Sequence, residues 1–309
     1  MGGSTSLYFF LSALVKTRIQ RDHGYRNQTS EINPMSRLRH HLVVPLVLAF
    51  LLLPFLMPVA GQQQQLDRFQ GDPFPRRPRT FTDGDWPGEY TFARIVYDSP
   101  HSPYNRWFGG AWRVDYPEAD YNFMMGIREW AGSNLHLSGR PVQIRPTDER
   151  LFDYPFAYIV EPGHMELSDE DAAALREYLM RGGFLMLDDF HGEFEWQHAR
   201  GEIKKILPEY EIKDLPLTHP IFHSYFDLDG VIQVPGIAAL IQGVTYEKGG
   251  VTPHYMGVEN KNGRLMIFLT RNCDLGDAWE WINDSRYPAQ YGMVAYKVGM
   301  NVITYAMSH

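Results

Sequence analysis

Two carboxylates and an imidazole stand close together in Asp188-Asp189-Phe190-His191, directly after the apolar run Phe184–Leu187. Converging at a strand end, such groups can exchange protons with a substrate or hold a cation. The plainer role is structural, because a carboxylate after a strand can cap the next helix. A second polar group, Thr270-Arg271-Asn272-Cys273-Asp274-Leu275-Gly276-Asp277-Ala278-Trp279-Glu280, follows another apolar run. Arg271, Asn272, Asp274, Asp277 and Trp279 are thus candidates for the cleft that Asp188, Asp189 and His191 would border. A guanidinium beside the two carboxylates would hold them ionised and lower their pKa values. Such a rim would select a polar or cationic ligand group, or a divalent cation, ahead of donating a proton.

A third patch is aromatic. Asn105-Arg106-Trp107-Phe108 with Trp112 is a candidate lid, in which Arg106, Trp107 and Trp112 either meet a sugar face or pack over the sheet edge. Other chemistries find little support. Cys273 lacks a Gly-x-Cys-x-Gly elbow and is expected to be a buried small apolar residue. His164, His219, His223 and His254 have no metal-ligand spacing, so neither a metal nor a cofactor is expected from motif alone.

The elements that must position these groups alternate between strand and helix patterns. Tyr90–Tyr97 is aromatic and β-branched, a strand signal, and Pro117 opens a helix over Glu118–Ala131. Val142–Ile144 and Phe156–Val160 have strand length. Ser168 caps a helix whose first turn is acidic, Ala172, Leu175 and Leu179 form its buried stripe, and Gly182-Gly183 ends it. Phe184–Leu187 is apolar throughout, as a strand buried on both faces of a parallel sheet should be. A helix to Leu207, strands at Tyr255–Glu259 and Leu265–Thr270, and a helix from Pro288 to Ala306 complete the series. This alternation predicts a three-layer, doubly wound α/β domain with a mostly parallel sheet, whose ligands bind beyond the strands' carboxyl ends.

Composition bounds the function class. The 309-residue chain is 44% hydrophobic and 21% charged, a globular profile, and a single cysteine excludes a disulfide framework. Residues 1–61 hold six of the 29 basic side chains against two acids, Asp22 and Glu31, leaving 23 basic and 35 acidic groups in the rest. That acidic body disfavours nucleic acid as a partner. Leu42–Ala60 is uncharged and follows Arg37 and Arg39, and small residues end it. Residues 1–61 therefore read as an N-terminal extension with a secretory signal peptide, or an uncleaved anchor that would be the only membrane contact. Met35 is the expected start of that signal. Residues 62–80, rich in Gln, Pro and Arg, read as a linker, and residues 81–309 as one domain.

Several segments in order carry a family resemblance: WRVDYPEAD at Trp112–Asp120, YLMRGGFLMLDDF at Tyr178–Phe190, His219-Pro220-Ile221-Phe222, Gly276-Asp277-Ala278-Trp279, and the closing Gly299–Ala306. Together they resemble the bacterial domain-of-unknown-function family 4159. The resemblance implies a flavodoxin-like, class I glutamine amidotransferase-like fold related to trehalose-utilisation-type domains, with Gly182–Leu187 as the strand leading to the cleft. Where the amidotransferase elbow would carry Cys, Asp188-Asp189 stands instead, which argues against glutaminase activity. Similar domains fused to membrane-anchored proteins with von Willebrand-type modules imply a cell-envelope role with a protein partner or small polar ligand. The expectation is an exported, periplasmic or extracellular, non-catalytic binding module. The alternative is an enzyme acting on a carbohydrate or small polar substrate through Asp188, Asp189 and His191.

Overall fold

The computed structural model describes residues 90–131 and 140–309. The signal segment and linker read from the sequence lie outside the described residues. Seven strands, β1 (Ala93–Ile95), β2 (Val142–Ile144), β3 (Phe156–Val160), β4 (Phe184–Phe190), β5 (Lys213–Asp214), β6 (His254–Glu259) and β7 (Leu265–Arg271), form one mixed sheet in the order β2-β1-β3-β4-β7-β6-β5. The five strands from β2 to β7 in that order are mutually parallel. Strand β6 runs antiparallel to both β7 and β5. The chain visits β1, then β2 on one side and β3 on the other, so the order reverses at the β1–β3 junction, and ligands of open α/β sheets bind beyond the carboxyl ends at such a reversal.

Burial explains the strands. Every residue of β3 and β4 is buried, which is why both read as unbroken apolar runs rather than alternating ones. One face of the sheet is covered by α3 (Asp169–Met180) and α4 (Gly192–Ile206), whose Leu175, Leu179, Ala199 and Ile203 pack with Leu185, Leu187 and Leu269. Each buried leucine contributes about 1.5–3 kcal/mol. The other face meets α2 (Glu118–Ala131), α6 (Leu275–Glu280) and α7 (Ala289–Ser308) through aromatic rings, among them Phe123, Trp279 and Tyr296. The short helices α1 (Asn105–Phe108) and α5 (Ile237–Ile241) lie in connections. No helix among the described residues is long and apolar enough to cross a membrane.

Local signals account for the boundaries. Ser168 and Asp171 form a reciprocal capping box at the start of α3, satisfying two otherwise orphan N–H donors. The same helix ends at Gly182, whose φ of 116° suits only glycine. Two strands differ most from the sequence reading. Strand β1 is confined to Ala93–Ile95, because β2 and β3 offer ladder partners only there. Strand β4 continues three residues past Leu187, through Asp188-Asp189-Phe190, with an irregularity in its pairing to β7. Asp188 and Asp189, expected just beyond the strand, therefore lie within its bulged end.

Candidate functional site

The bulge is the key to the site. Asp189 adopts a left-handed backbone (φ 59°), which resets the alternation of β4 so that Phe190 rejoins the α3/α4 face occupied by Leu185 and Leu187. Asp188 stays on the opposite face and is fully buried. Its Oδ2 accepts from the Tyr158 hydroxyl at 2.9 Å and from the N–H groups of Leu275 and Gly276 at 3.0 and 2.9 Å, while the Thr270 hydroxyl donates to Oδ1. Burial pushes its pKa up to about 7, and the hydrogen bonds from Thr270 and Tyr158 pull against that shift. Asp188 therefore joins β3, β4, β7 and the start of α6. Its lone pairs are committed to protein donors.

Asp189 faces a different set of groups. His191 Nε2 lies 3.0 Å from Asp189 Oδ1, and its Nδ1 is buried without a partner. Burial works against the charged imidazole, but Asp189 more than offsets it and the His191 pKa is raised. On the far side of Asp189 stand Asp115 and Asp274, and ligand oxygens of the three carboxylates lie within 4.8 Å of one another. Asp115 also groups with Asp277 and Glu280. Burial first, then the charges of its acidic neighbours, raises the pKa values of Asp115, Asp274 and Asp277 well above the usual carboxylate range. Among the described residues no Lys or Arg makes an ion pair with Asp115, Asp274 or Asp277, and Asp115 Oδ2 has no hydrogen-bond partner.

The segment carrying Asp115 is held by a buried ion pair beneath it. Arg94 of β1 grips Asp120 of α2 and donates to the carbonyls of Trp112 and Val114 at 3.2 and 2.9 Å. The guanidinium thereby fixes the residues just before Asp115, and its planar fork can serve the carboxylate and both carbonyls together. Asp274 caps α6 by accepting from the Asp277 N–H at 2.7 Å, and Asp277 Oδ2 accepts from the Ile237 N–H at 2.7 Å.

A neighbouring group is built from Glu161, His164, Glu195 and Lys248. Glu161 follows β3, and Glu195 lies in the first turn of α4, where it accepts from the His191 N–H at 2.7 Å. Lys248 Nζ is 2.6 Å from Glu195 and 4.0 Å from Glu161, and His164 Nε2 is 3.3 and 3.8 Å from the same two residues. Burial raises the Glu195 pKa, but His164, Lys248 and the backbone donor outweigh it and hold the group at about 2. Glu161 is pushed up by burial and by Asp189. Tyr104 hydrogen-bonds Glu161 and sets its ring edge-on to His164, with centroids 5.2 Å apart.

Backbone geometry ties these groups together. The non-glycine residues with left-handed φ among the described residues are Asp115, Glu161, Asp189, Lys248 and Asn272, and all five stand at this edge. Each such residue costs about 1–2 kcal/mol, least for Asp and Asn. Left-handed residues of this kind gather at active sites and ligand clamps.

The remaining sequence candidates divide. Arg271 stands at the same end of the sheet as the last residue of β4, paired opposite Phe190. Its guanidinium instead lies over the Trp196 ring and binds Glu193 at 2.9 Å, because the strand directs it to the α4 face, opposite Asp188. The expected lowering of the Asp188 pKa by Arg271 is thus corrected: burial raises it. Asn272 is a tether, its Oδ1 accepting from the Gly192 N–H and its Nδ2 donating to the Thr252 carbonyl. Trp279 belongs to the core, stacked on Phe123 at 4.2 Å with no exposed surface, and not to the cleft rim. Trp107 is exposed, with Arg106 over its ring, whereas Trp112 packs against the core and Tyr116. Cys273 is buried, and burial lifts its thiol pKa to about 12. An open groove of about 460 Å³ lies on the flank of α4, lined by residues such as Glu166, His198 and Lys205 rather than by these candidates.

Sequence reasoning missed Asp115, Glu161, His164, Glu195 and Lys248 as site residues. One signal was present: a polar residue directly follows each central apolar strand, Glu161 after β3 just as Asp188 within β4 and Asn272 after β7. Asp115 and Lys248 sit in long connections with no periodicity, and only the fold brings them in.

The chain belongs to the family described as Domain of unknown function (DUF4159), whose model matches residues 91–307. No curated protein matches it.

Proposed function

We propose that the chain is an exported ligand- or partner-binding module of the cell envelope. In this reading it is built on a flavodoxin-like, class I glutamine amidotransferase-like fold without the nucleophile, and its carboxyl edge receives a polar or cationic group. One observation carries the reading: buried carboxylates outnumber cations at that edge, and no accessible thiol stands there. The parallel strands support the fold assignment, since β2-β1-β3-β4-β7 follows the 2-1-3-4-5 order of flavodoxin-like sheets. The basic flank and uncharged run of residues 37–60 support export.

A catalytic reading through Asp188, Asp189 and His191 rests on the Asp189–His191 contact, which could tune an imidazole for proton transfer. Asp188 fits it poorly, with four donors already bound. Unbiased mass-spectrometric identification of molecules retained by the full chain, purified from its native envelope, tests the proposal. A polar or cationic ligand or a protein partner is expected on the wild type and lost from Asp189→Asn. Turnover of a carbohydrate that vanishes in His191→Ala while binding persists would replace the binding reading with the catalytic one.

A further inference from the structure

We infer that Asp115, Asp189 and Asp274 form a binding site for one hard divalent cation, of the Ca²⁺, Mg²⁺ or Mn²⁺ class. This deepens the binding reading above by naming what the carboxyl edge takes.

Three observations converge. The three carboxylates come from the connection before α2, the bulge of β4 and the connection after β7, and each is at least nine-tenths buried. Their ligand oxygens lie within 4.8 Å of one another. An ion with oxygen ligands at about 2.0–2.6 Å has ligands on opposite sides roughly 4–5 Å apart, so one centre can reach all three.

The second observation is Asp115 Oδ2, buried and without a hydrogen-bond partner. A buried carboxylate oxygen left bare keeps its full desolvation penalty, which a bound cation would offset. It is aimed across Gly276, where a Cβ would collide with it. Gly236 serves likewise, because a Cβ there would collide with the Glu247 carboxylate and crowd Asp274 Oδ2 at 2.7 Å. Glycine at both positions leaves the space in which these carboxylate oxygens gather.

The third is selectivity among charges. In the adjacent Glu161–Glu195 group a lysine supplies the positive charge at 2.6 Å. Around Asp115 and Asp274 no Lys or Arg among the described residues makes an ion pair, and the buried Arg94 acts on Asp115 only from a distance, so a bound cation would supply the contact that is missing. An all-oxygen set favours a hard ion over zinc or copper, which prefer imidazole and thiolate. Asp115 also faces Asp277 and Glu280, giving the ion further oxygen neighbours.

Full-length protein stripped with EDTA is titrated with Mn²⁺ and followed by electron paramagnetic resonance, with Ca²⁺ and Mg²⁺ as competitors. One saturable Mn²⁺ per chain is expected, displaced by Ca²⁺ or Mg²⁺. Asp115→Asn and Asp274→Asn should each weaken it at least tenfold, whereas Asp229→Asn on an exposed loop should leave it unchanged. Circular dichroism checks that each variant folds, and the two substitutions on separate segments keep the test open if one does not. No saturable Mn²⁺ at millimolar concentration, wild-type affinity in both folded variants, or binding of Zn²⁺ alone would overturn the site. A ligand retained from the envelope after EDTA, together with no Mn²⁺ binding, would sink the cation site and spare the binding module. Mn²⁺ bound with no retained ligand or partner would do the reverse.

Discussion

Two clusters of buried carboxylates share the carboxyl edge of the sheet and are neutralised differently. Glu161 and Glu195 share contacts with Lys248 and with the His164 ring, so a cation of the chain itself meets this cluster. Among the described residues the basic side chain in contact with Asp115, Asp189 or Asp274 is His191, which reaches Asp189, while Arg94 and Lys248 act on the group from farther off. The first cluster behaves as a structural ion network that orders the start of α4. The second keeps a deficit that a protein evolved for stability alone would have removed, by amide substitution or by an added basic residue. Asp188 is a third solution, a buried carboxylate satisfied by hydroxyl and backbone donors.

The comparison can be broken by removing each solution in turn. Asp188→Ala strands two hydroxyls and two backbone N–H groups, and an unfolding free energy lower by about 3–5 kcal/mol is expected in urea titration. A loss under 1 kcal/mol would mean Asp188 is not the joint between β4 and α6. The next effect is one of pH. Glu195 ionises at about 2 in the folded protein and near 4.5 when unfolded, so its contribution is complete above pH 4.5 and is lost as pH falls towards 2. Linkage puts that loss at about 3 kcal/mol, and Glu195→Gln should flatten this part of the stability-against-pH curve. Identical acid limbs in the two proteins would contradict the closed network.

Lys248→Met tests the same cluster from its cation. Partial exposure of the ammonium reduces the cost expected of a broken buried pair to about 2 kcal/mol, read as a fall in denaturation midpoint. Asp115→Asn should act in the opposite sense. With EDTA present, removing one of the crowded charges should leave stability unchanged or raise it by about 0.5–1.5 kcal/mol. A destabilised Asp115→Asn would make the two clusters alike and the distinction void.

Much of the fold was legible in the sequence, for a physical reason. Phe156–Val160, Phe184–Leu187 and Leu265–Thr270 are buried on both faces, and nothing but an unbroken apolar run satisfies that environment. Caps were equally plain, as at Ser168 and Pro117. The site was only half legible. Asp188, Asp189, Asp274 and Asp277 stand next to such runs and could be placed at the edge. Whether a side chain there faces one side of the sheet or the other turned on a single left-handed residue, Asp189, which no alternation pattern foretells. Arg271 went to the opposite face by the same parity. Lys248 and Asp115 arrive from connections whose paths depend on long-range packing, so their chemistry was invisible until the chain was folded.

The two margins of the sheet have a bearing on how this molecule meets others. One outermost strand, β2, is three residues long, and the other, β5, is the charged dipeptide Lys213–Asp214. A visiting peptide laid alongside either would find too few free amides and carbonyls for a stable ladder, and charge at one of them. Intermolecular contacts at β2 or β5 in a complex would contradict this. Fibril-like stacking by strand addition is discouraged for the same reason, and recognition is left to the helices and the loops at the strand ends.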